Sequence, residues 1–292
     1  MCDQNHFDDD LKDYVSRGAV TRREFGALSL GAGMALMLPR AANAQAVRET
    51  DVKVKTPDGV ADCYFVHPAT GAHPGVLIWP DILGLRPAFR QMGKRLAESG
   101  YSVLVVNPFY RQQAAPVVPA GASFSDPAIR KLVMPLAGAL NATAHVTDAK
   151  ALIAFLDAQS AVDTQKKIGT MGYCMGGPIT MRTAAAVPGR VGAGASFHGG
   201  GLVTRDPDSP HLLVPTMKAQ YLFAIAENDD QRDPDSKSVL RETFAKAGLA
   251  AEIEVYAGAA HGWCPPDSAV YNEAQAEKAW SRLLVLFGKA LA

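Results

Sequence analysis

The sequence lacks an excess of charge of either sign, and it has no basic tract. Its 292 residues contain 29 lysines and arginines against 29 aspartates and glutamates, so the formal net charge is zero. A nucleic-acid-binding protein obtains most of its non-specific affinity from clustered positive charge. A segment that binds an anionic membrane surface needs the same clustering. The sequence therefore predicts neither a nucleic-acid partner nor a polybasic membrane-binding segment.

An apolar run long enough to cross a bilayer is also missing at the amino terminus. The run at residues 26–38 has 13 residues, which is too short for the roughly 20 that a spanning helix needs but fits a signal-peptide core. Arg22 and Arg23 precede it, and small residues suited to cleavage follow at Ala44 and Ala46. This order resembles a twin-arginine export signal, and an amphipathic helix with a chance arginine pair is the alternative.

From this order we predict that residues 1–46 are a removable signal and that the protein folds before transport. Its export partner is then the twin-arginine machinery of a bacterium, its location is the periplasm, and it has no stable membrane insertion. The mature chain is expected to begin at Gln45 or Val47.

Cysteine is scarce. Cys2 lies in the predicted signal, and only Cys63, Cys174 and Cys264 remain. An odd number argues against a disulfide framework and indicates at least one unpaired thiol in an oxidising compartment. Motifs typical of zinc sites, such as H-E-x-x-H and C-x-x-C, are missing from the sequence. We therefore expect no metal and no cofactor.

What the sequence does contain is a regular alternation of short apolar runs and helical patterns. Residues 51–56 and 60–67 flank a Pro-Asp-Gly turn signal and predict a hairpin. Further strands are predicted at residues 75–79, 101–107, 167–171, 191–197, 219–226 and 251–256, and helices at residues 87–99, 142–158, 177–187, 236–247 and 269–291. Apolar strands between helices are typical of a parallel sheet that is covered on both faces. We predict one α/β domain over residues 47–292, with a mostly parallel central sheet.

The sharpest motif is Gly-Tyr-Cys-Met-Gly-Gly at residues 172–177, between a predicted strand and a predicted helix. It has the form of the nucleophile elbow G-x-S-x-G, with cysteine in place of serine. Its glycines are needed because side chains two residues from the nucleophile would collide in so tight a turn. The amino terminus of the following helix lowers the pKa of a thiol. The motif predicts that Cys174 is a nucleophile, and a buried structural cysteine is the alternative.

A thiol nucleophile needs a base, and the base needs an orienting carboxylate. His261 follows a predicted strand and precedes a glycine, as a mobile imidazole requires, although a surface histidine is the alternative. Asp229 lies three residues past another predicted strand, whereas the neighbouring Asp230 is the alternative that caps a helix or pairs with Arg232. The order nucleophile, acid, histidine is that of the α/β-hydrolases.

These segments together resemble the dienelactone hydrolase family. The likeness covers nearly all of residues 50–290 and rests on Gly-Tyr-Cys-Met-Gly-Gly at 172–177, Ala-Glu-Asn-Asp at 226–229, Ala-Ala-His-Gly-Trp at 259–263 and Trp-Pro-Asp-Ile-Leu-Gly-Leu at 79–85. It implies an α/β-hydrolase fold with Cys174 as nucleophile, Asp229 as orienting acid and His261 as base. It also implies an oxyanion hole formed by the backbone N–H groups of Ile82 and Met175. The expected activity is hydrolysis of a small ester or lactone.

Two positions depart from the pattern of the family's best-studied branch. Asp81 stands where that branch has a glutamate that helps to deprotonate the cysteine, and an exposed loop carboxylate is the alternative. Pro265 stands where that branch has an arginine that grips a substrate carboxylate. Neutral substrates are therefore expected to react at least as well as anionic ones, unless Arg86, Arg111 or Arg130 supplies the missing cation.

His198 and Trp263 are further candidates for substrate contact, with plain structural packing as the alternative for each. A competing function is a periplasmic thiol-redox or oxidant-sensing protein. Cys264 lies only three residues beyond His261, the predicted base, and this nearness to the base would bring its thiol close to Cys174 in the fold. A non-catalytic binding module is a third interpretation, which the presence of all three triad residue types disfavours.

Overall fold

The computed structural model describes residues 44–292, so the predicted export signal lies outside the described residues except for its last three. The described chain forms an eight-stranded sheet in the order β1-β2-β4-β3-β5-β6-β7-β8. Its strands are β1 (Val47–Thr56), β2 (Gly59–Pro68), β3 (Gly75–Trp79), β4 (Ser102–Val106), β5 (Ile168–Tyr173), β6 (Val191–Phe197), β7 (Gln220–Ala226) and β8 (Ala251–Tyr256). The pairs β1–β2 and β2–β4 are antiparallel, and the remaining neighbours are parallel. The predicted mostly parallel sheet is confirmed.

Helices connect the strands and cover the sheet. They are α1 (Pro87–Glu98), α2 (Pro127–Gly138), α3 (Ala142–Asp157), α4 (Gly176–Ala186), α5 (Glu227–Arg232), α6 (Ser236–Lys246) and α7 (Glu273–Ala290), with a 3-10 helix at Pro210–Thr216. Helix α2 is absent from the sequence prediction, because Pro135 interrupts its pattern, although Asp126 caps it by accepting a hydrogen bond from the Ala128 amide at 2.8 Å. Among the helices of residues 44–292, none has the length and apolar character that crossing a membrane requires.

The central strand β3 shows how the two faces of the sheet are buried. Val76 and Ile78 pack in one apolar cluster with residues of α1 and α7. Leu77 and Trp79 point the other way and pack in a second cluster with residues of α3 and α4. All four side chains are at most 1% exposed. A strand that is buried on both faces has no polar alternation, which is why its sequence is continuously apolar.

The loops that follow the parallel strands all leave the sheet at its carboxyl edge. Asp81 lies after β3, Cys174 after β5 and His198 after β6, while Asp229 follows β7 and His261 follows β8. In open α/β sheets, ligands bind outside the carboxyl ends of the strands. The topology therefore gathers the candidate residues, which are distant in sequence, at one edge of the sheet.

Candidate active site

Cys174 occupies a strained turn between β5 and α4. Its φ is +52°, a left-handed conformation that non-glycine residues rarely adopt. Its amide donates a hydrogen bond to the Phe197 carbonyl at 3.1 Å, and its own carbonyl accepts one from the Gly177 amide at 3.0 Å. A Cβ atom at Gly172 would overlap the Gly176 carbonyl oxygen. The strand, tight turn and helix that the elbow motif requires are thus all present.

The carboxylate of Asp229 meets the imidazole of His261. The distance between Asp229 Oδ2 and His261 Nδ1 is 2.7 Å, and both side chains are largely buried. The Asn228 side chain holds the same loop, because its Oδ1 accepts a hydrogen bond from the His261 amide at 2.9 Å. Asp230 instead accepts from the Lys237 ammonium at 2.6 Å. Of the two aspartates that the sequence offers, Asp229 is the one that contacts the histidine.

Two backbone amides lie where the loops after neighbouring strands begin. β3 and β5 pair with Trp79 opposite Gly172, so the loop with Ile82 and the elbow with Met175 start side by side. Neither the Ile82 nor the Met175 amide has a backbone or side-chain acceptor within residues 44–292. Both side chains pack in an apolar cluster with residues of the 107–126 loop and α2. Two donors in an apolar wall are suited to stabilising a developing oxyanion.

The carboxylate of Asp81 is bound by Arg86 and by a nearby amide. Arg86 donates to both Asp81 oxygens at 2.6 and 2.9 Å, and the Leu83 amide donates to Oδ1 at 2.9 Å. Arg86 also donates to both oxygens of Asp267 at 2.7 and 3.0 Å. Burial alone lowers the pKa of Arg86, but the charges of Asp81 and Asp267 outweigh it and hold the pKa above its ordinary value. Arg86 therefore stays charged between two carboxylates.

His198 is a buried imidazole beside His261. Its φ is +40°, and its ring centroid lies 5.1 Å from those of both His261 and Trp263. Both ring nitrogens are buried, and they have no hydrogen-bond partner within the described chain. Burial, and then the charge of His261, holds the pKa of His198 well below its usual range, so the ring is neutral. His198 and Trp263 are 1% and 0% exposed, which places them behind the His261 ring as packing.

Cys63, Cys174 and Cys264 are all buried, and they form no disulfide within residues 44–292. Burial raises the pKa of the Cys63 thiol and of the Cys264 thiol. Cys264 lines a small cavity between α1 and α7 together with Tyr173 and Arg95. Cys174 itself is only 7% exposed, so the elbow is enclosed by the surrounding protein. Among residues 44–292, no group of three or more histidine, cysteine or carboxylate side chains is arranged to hold a metal ion.

Sequence reasoning misses the partnership of Arg86 with Asp267, which joins residues 181 positions apart. It also misses the Asn228 side chain as a support of the His261 loop. No local signal marks the first pair, because an isolated arginine and a distant aspartate have no fixed spacing. Asn228 was visible between the strand and Asp229, since asparagine commonly hydrogen-bonds backbone groups in such loops.

The sequence matches one family model and several known proteins. The family model described as "Dienelactone hydrolase family" matches residues 61–291. A Methylorubrum extorquens protein named "Putative carboxymethylenebutenolidase" is 28% identical over 289 residues, covering 95% of this chain and 96% of the relative. A Rhodococcus opacus protein named "Carboxymethylenebutenolidase" is 26% identical over 227 residues, covering 76% of this chain and 83% of the relative.

A solved structure shares the fold. The crystal structure titled "Putative Dienelactone Hydrolase" from Klebsiella pneumoniae superposes with a TM-score of 0.72 at 21% sequence identity. The match covers 84% of this chain and all (100%) of the other. At this identity the likeness shows the architecture alone, and it agrees with the mostly parallel sheet described above.

Proposed function

Because the chain belongs to the dienelactone hydrolase family and is a hydrolase of ester or lactone bonds, we propose that it cleaves small esters or lactones through a Cys174–His261–Asp229 triad. The observation that carries the proposal is the 2.7 Å contact between Asp229 and His261. It lies at the same edge of the sheet as the strained Cys174. A nucleophile, a base and an orienter of the base are the three parts that covalent acyl transfer needs.

The proposed reaction proceeds through a thioester. With Nδ1–H donated to Asp229, the Nε2 atom of His261 is the acceptor that takes the Cys174 proton. The thiolate attacks the substrate carbonyl carbon, and the Ile82 and Met175 amides stabilise the oxyanion. As the carbon–oxygen bond breaks, His261 returns the proton to the leaving alkoxide. Water activated by His261 then hydrolyses the thioester, which gives a carboxylic acid and regenerates the thiol. A lactone keeps its alcohol on the same molecule.

The proposal is tested by trapping the thioester. Acid quenching during turnover of p-nitrophenyl acetate should give protein carrying one acetyl group, and peptide mapping should place it on Cys174. Cys174→Ala should carry no acetyl group, whereas the matched variant Cys264→Ala should be acetylated like the parent. Turnover without an adduct on Cys174 in the parent, or with equal labelling of Cys174→Ala, would contradict the proposal.

The redox alternative has no comparable support. Cys264 is 6% exposed, and burial holds the pKa of its thiol well above the usual range, so little thiolate is present to react with an oxidant. Cys174 and Cys264 are both buried without a disulfide. The family match concerns a hydrolase and carries no redox chemistry. We therefore propose the hydrolase alone.

We also propose that Asp81 helps to ionise the Cys174 thiol, as the resemblance to the family implies. In the structure the Asp81 carboxylate is bound by Arg86 and by the Leu83 amide. Alkylation by iodoacetamide requires the thiolate, so its rate across pH measures ionisation of the cysteine. If Asp81 assists ionisation, Asp81→Asn should slow the alkylation of Cys174 and Asp81→Glu should restore it. Equal rates for the parent and Asp81→Asn would remove this role.

We also propose export to the periplasm through the twin-arginine signal, whose Arg22 and Arg23 lie outside the described residues. Cleavage after Ala44 suits the fold better than cleavage after Ala46, because the Gln45 amide donates to the Glu98 carbonyl at 3.0 Å and the Ala46 carbonyl accepts from the Ala69 amide at 2.7 Å. Replacing both arginines by lysine should leave precursor in the cytoplasm. Normal amounts of processed protein in the periplasm would contradict export by this route.

A further inference from the structure

We propose that Arg86 is a positioning residue that ties together the two loops on which the proposed chemistry depends. The first, which we call the oxyanion loop, is residues 80–86 after β3. The second, the histidine loop, is residues 257–272 after β8. This inference rests on the proposed function, since it concerns how the oxyanion donor and the base of that reaction are held in register.

The Arg86 guanidinium makes paired hydrogen bonds to a carboxylate in each loop. It binds both oxygens of Asp81 at 2.6 and 2.9 Å in its own loop. It binds both oxygens of Asp267 at 2.7 and 3.0 Å in the histidine loop. The side chain is 7% exposed and lies 4.8 Å from the centroid of the Phe89 ring. A planar guanidinium held by two bidentate contacts fixes direction as well as distance.

On one side this arrangement holds the segment that presents the Ile82 amide. Asp81 Oδ1 accepts from the Leu83 amide at 2.9 Å while it also accepts from Arg86. The Asp81 carbonyl accepts from the Gly84 amide at 2.9 Å. The residues before and after Ile82 are thus fixed by the same ion pair. Displacement of the Asp81 carboxylate would release the Leu83 amide and so remove one support of the segment that presents the Ile82 N–H.

On the other side it holds the histidine loop six residues beyond His261. That loop is closed by hydrogen bonds from the Trp263 amide to the Ala260 carbonyl and from the Asn272 amide to the Trp263 carbonyl, both at 3.1 Å. Asp267 lies between these anchor points and is 38% exposed. Its bond to Arg86 therefore stabilises a loop that is otherwise tied at its base. A misplacement of about 1 Å in such a site lowers the rate by as much as about 100-fold.

The opposite end of helix α1 provides a matched control. Arg95 binds both oxygens of Glu277 at 2.6 and 2.5 Å, is 7% exposed and lies 4.4 Å from the centroid of the Trp280 ring. It joins α1 to α7, and neither partner belongs to the oxyanion loop or the histidine loop. A loss of stability that comes only from breaking a buried ion pair should therefore appear equally in both places, whereas a loss of positioning should appear only at Arg86.

The test compares Arg86→Met, Arg86→Lys and Asp267→Asn with Arg95→Met and Glu277→Gln in steady-state turnover of p-nitrophenyl acetate. We expect kcat to fall about 100-fold in Arg86→Met and about tenfold in Asp267→Asn, with KM within about threefold of the parent, because a positioning loss acts on the transition state. Arg86→Lys should recover part of the loss. The two control variants should keep the kcat of the parent per folded molecule.

Asp267→Asn should fold even if Arg86→Met does not, since it is an isosteric change at a partly exposed side chain. A kcat for Asp267→Asn and Arg86→Lys equal to that of the parent, in folded protein, would overturn the positioning role. Equal losses at Arg86 and Arg95 would overturn it as well, because they would show a general effect on stability. Acetylation of Cys174 in the quenched parent reports on the proposed triad separately, so that failure of the triad and failure of the Arg86 contact are distinguishable.

Discussion

The carboxyl edge of the sheet and its interior are built under opposite constraints. At the edge, Cys174 and His198 have positive φ angles, and both ring nitrogens of His198 are buried without a partner in the described chain. In the interior, residues such as Leu77 and Val105 are 0% exposed and lie in regular strand pairs. Strain of about 1–3 kcal/mol per residue persists only where the surrounding structure enforces it. The interior supplies the stability that lets the edge keep a strained geometry.

Substitution of the elbow cysteine should separate the two regions most sharply. Cys174→Ala should lower kcat by about 10⁴-fold or more, as loss of a covalent nucleophile does in related triads. Its stability should change little, because it removes only one sulfur atom at a position where the backbone is already constrained. The measurement is turnover of p-nitrophenyl acetate together with thermal unfolding.

Leu77→Ala is the matched change in the interior. It should cost about 2–5 kcal/mol of unfolding free energy, because it leaves a cavity in a buried strand, while kcat per folded molecule stays near that of the parent. Retained turnover of Cys174→Ala within about tenfold of the parent would remove Cys174 from the chemistry.

The next largest effect should distinguish two adjacent carboxylates at the edge. Asp229→Asn should lower kcat by roughly 10²–10⁴-fold, because the amide no longer fixes the His261 tautomer or stabilises the imidazolium. Asp230→Asn should leave kcat within about threefold, since Asp230 binds Lys237 at 2.6 Å instead and an exposed or half-buried pair of this kind contributes little. Equal losses in both variants would show that the histidine depends on Asp229 no more than on Asp230.

The interior of this fold was largely predictable from the sequence, because one physical rule governs it. The strand at Gly75–Trp79 and the helix that begins at Pro87 follow from continuous apolar runs and from proline at a helix start. The motif around Cys174 was also readable, since a Cβ at Gly172 or Gly176 would overlap backbone atoms. At Gly172 the collision is with the Gly176 backbone four residues along the chain, so local sequence carries that information. At Gly176 the collision is with the backbone of Trp79 and Pro80 in a distant loop, and there only the family motif carries it.

Contacts between distant segments could not be predicted in the same way. Arg86 suggested a grip for a substrate carboxylate, and only the fold shows that Asp81 and Asp267 occupy it. His198 and Trp263 suggested substrate contacts, and their burial appears only once β6 and β8 are placed in the sheet. Helix α2 was missed because Pro135 hides its period, although the Asp-Pro start at residues 126–127 is a recognisable signal.

A smaller effect should appear in stability rather than in activity. His145 on α3 is 8% exposed, and neither of its ring nitrogens has a hydrogen-bond partner in the described chain. Burial, and then the charges of Arg182 and Arg111, lowers the pKa of His145 to about 3. The unfolded chain, with an ordinary histidine pKa of about 6.5, binds the proton first as pH falls. The folded state should therefore lose stability from about pH 6.5 down toward pH 3.

His145→Leu should remove this acid sensitivity. Between pH 6.5 and pH 4.5 the parent should lose about 2.3 kcal/mol more unfolding free energy than the variant, because the unfolded histidine goes from half to almost fully protonated while the folded one stays almost wholly neutral. Urea unfolding at both pH values measures the difference, and kcat at neutral pH should be unaffected. Parallel curves for the two proteins would mean that His145 binds its proton equally well in the folded state.

The smallest effect concerns the charge of the substrate, and it follows from how the arginines are engaged. Arg86 binds two carboxylates, Arg111 binds Asp58 and Asp148, and Arg130 donates to the Ser125 carbonyl. Pro265, in the histidine loop, has neither a charge nor an N–H to offer. At Arg86 or Arg111 a substrate carboxylate would have to displace an existing carboxylate partner, which returns little net affinity. We therefore expect matched neutral and carboxylated lactones to differ by less than about tenfold in kcat/KM, or about 1.4 kcal/mol.

Saturation kinetics on such a pair of lactones measure the ratio of the two kcat/KM values, and Asp267→Asn serves as the control because it leaves Arg86 with one carboxylate fewer. A preference of about 100-fold or more for the anionic lactone in the parent would show that one of these ion pairs opens to bind it.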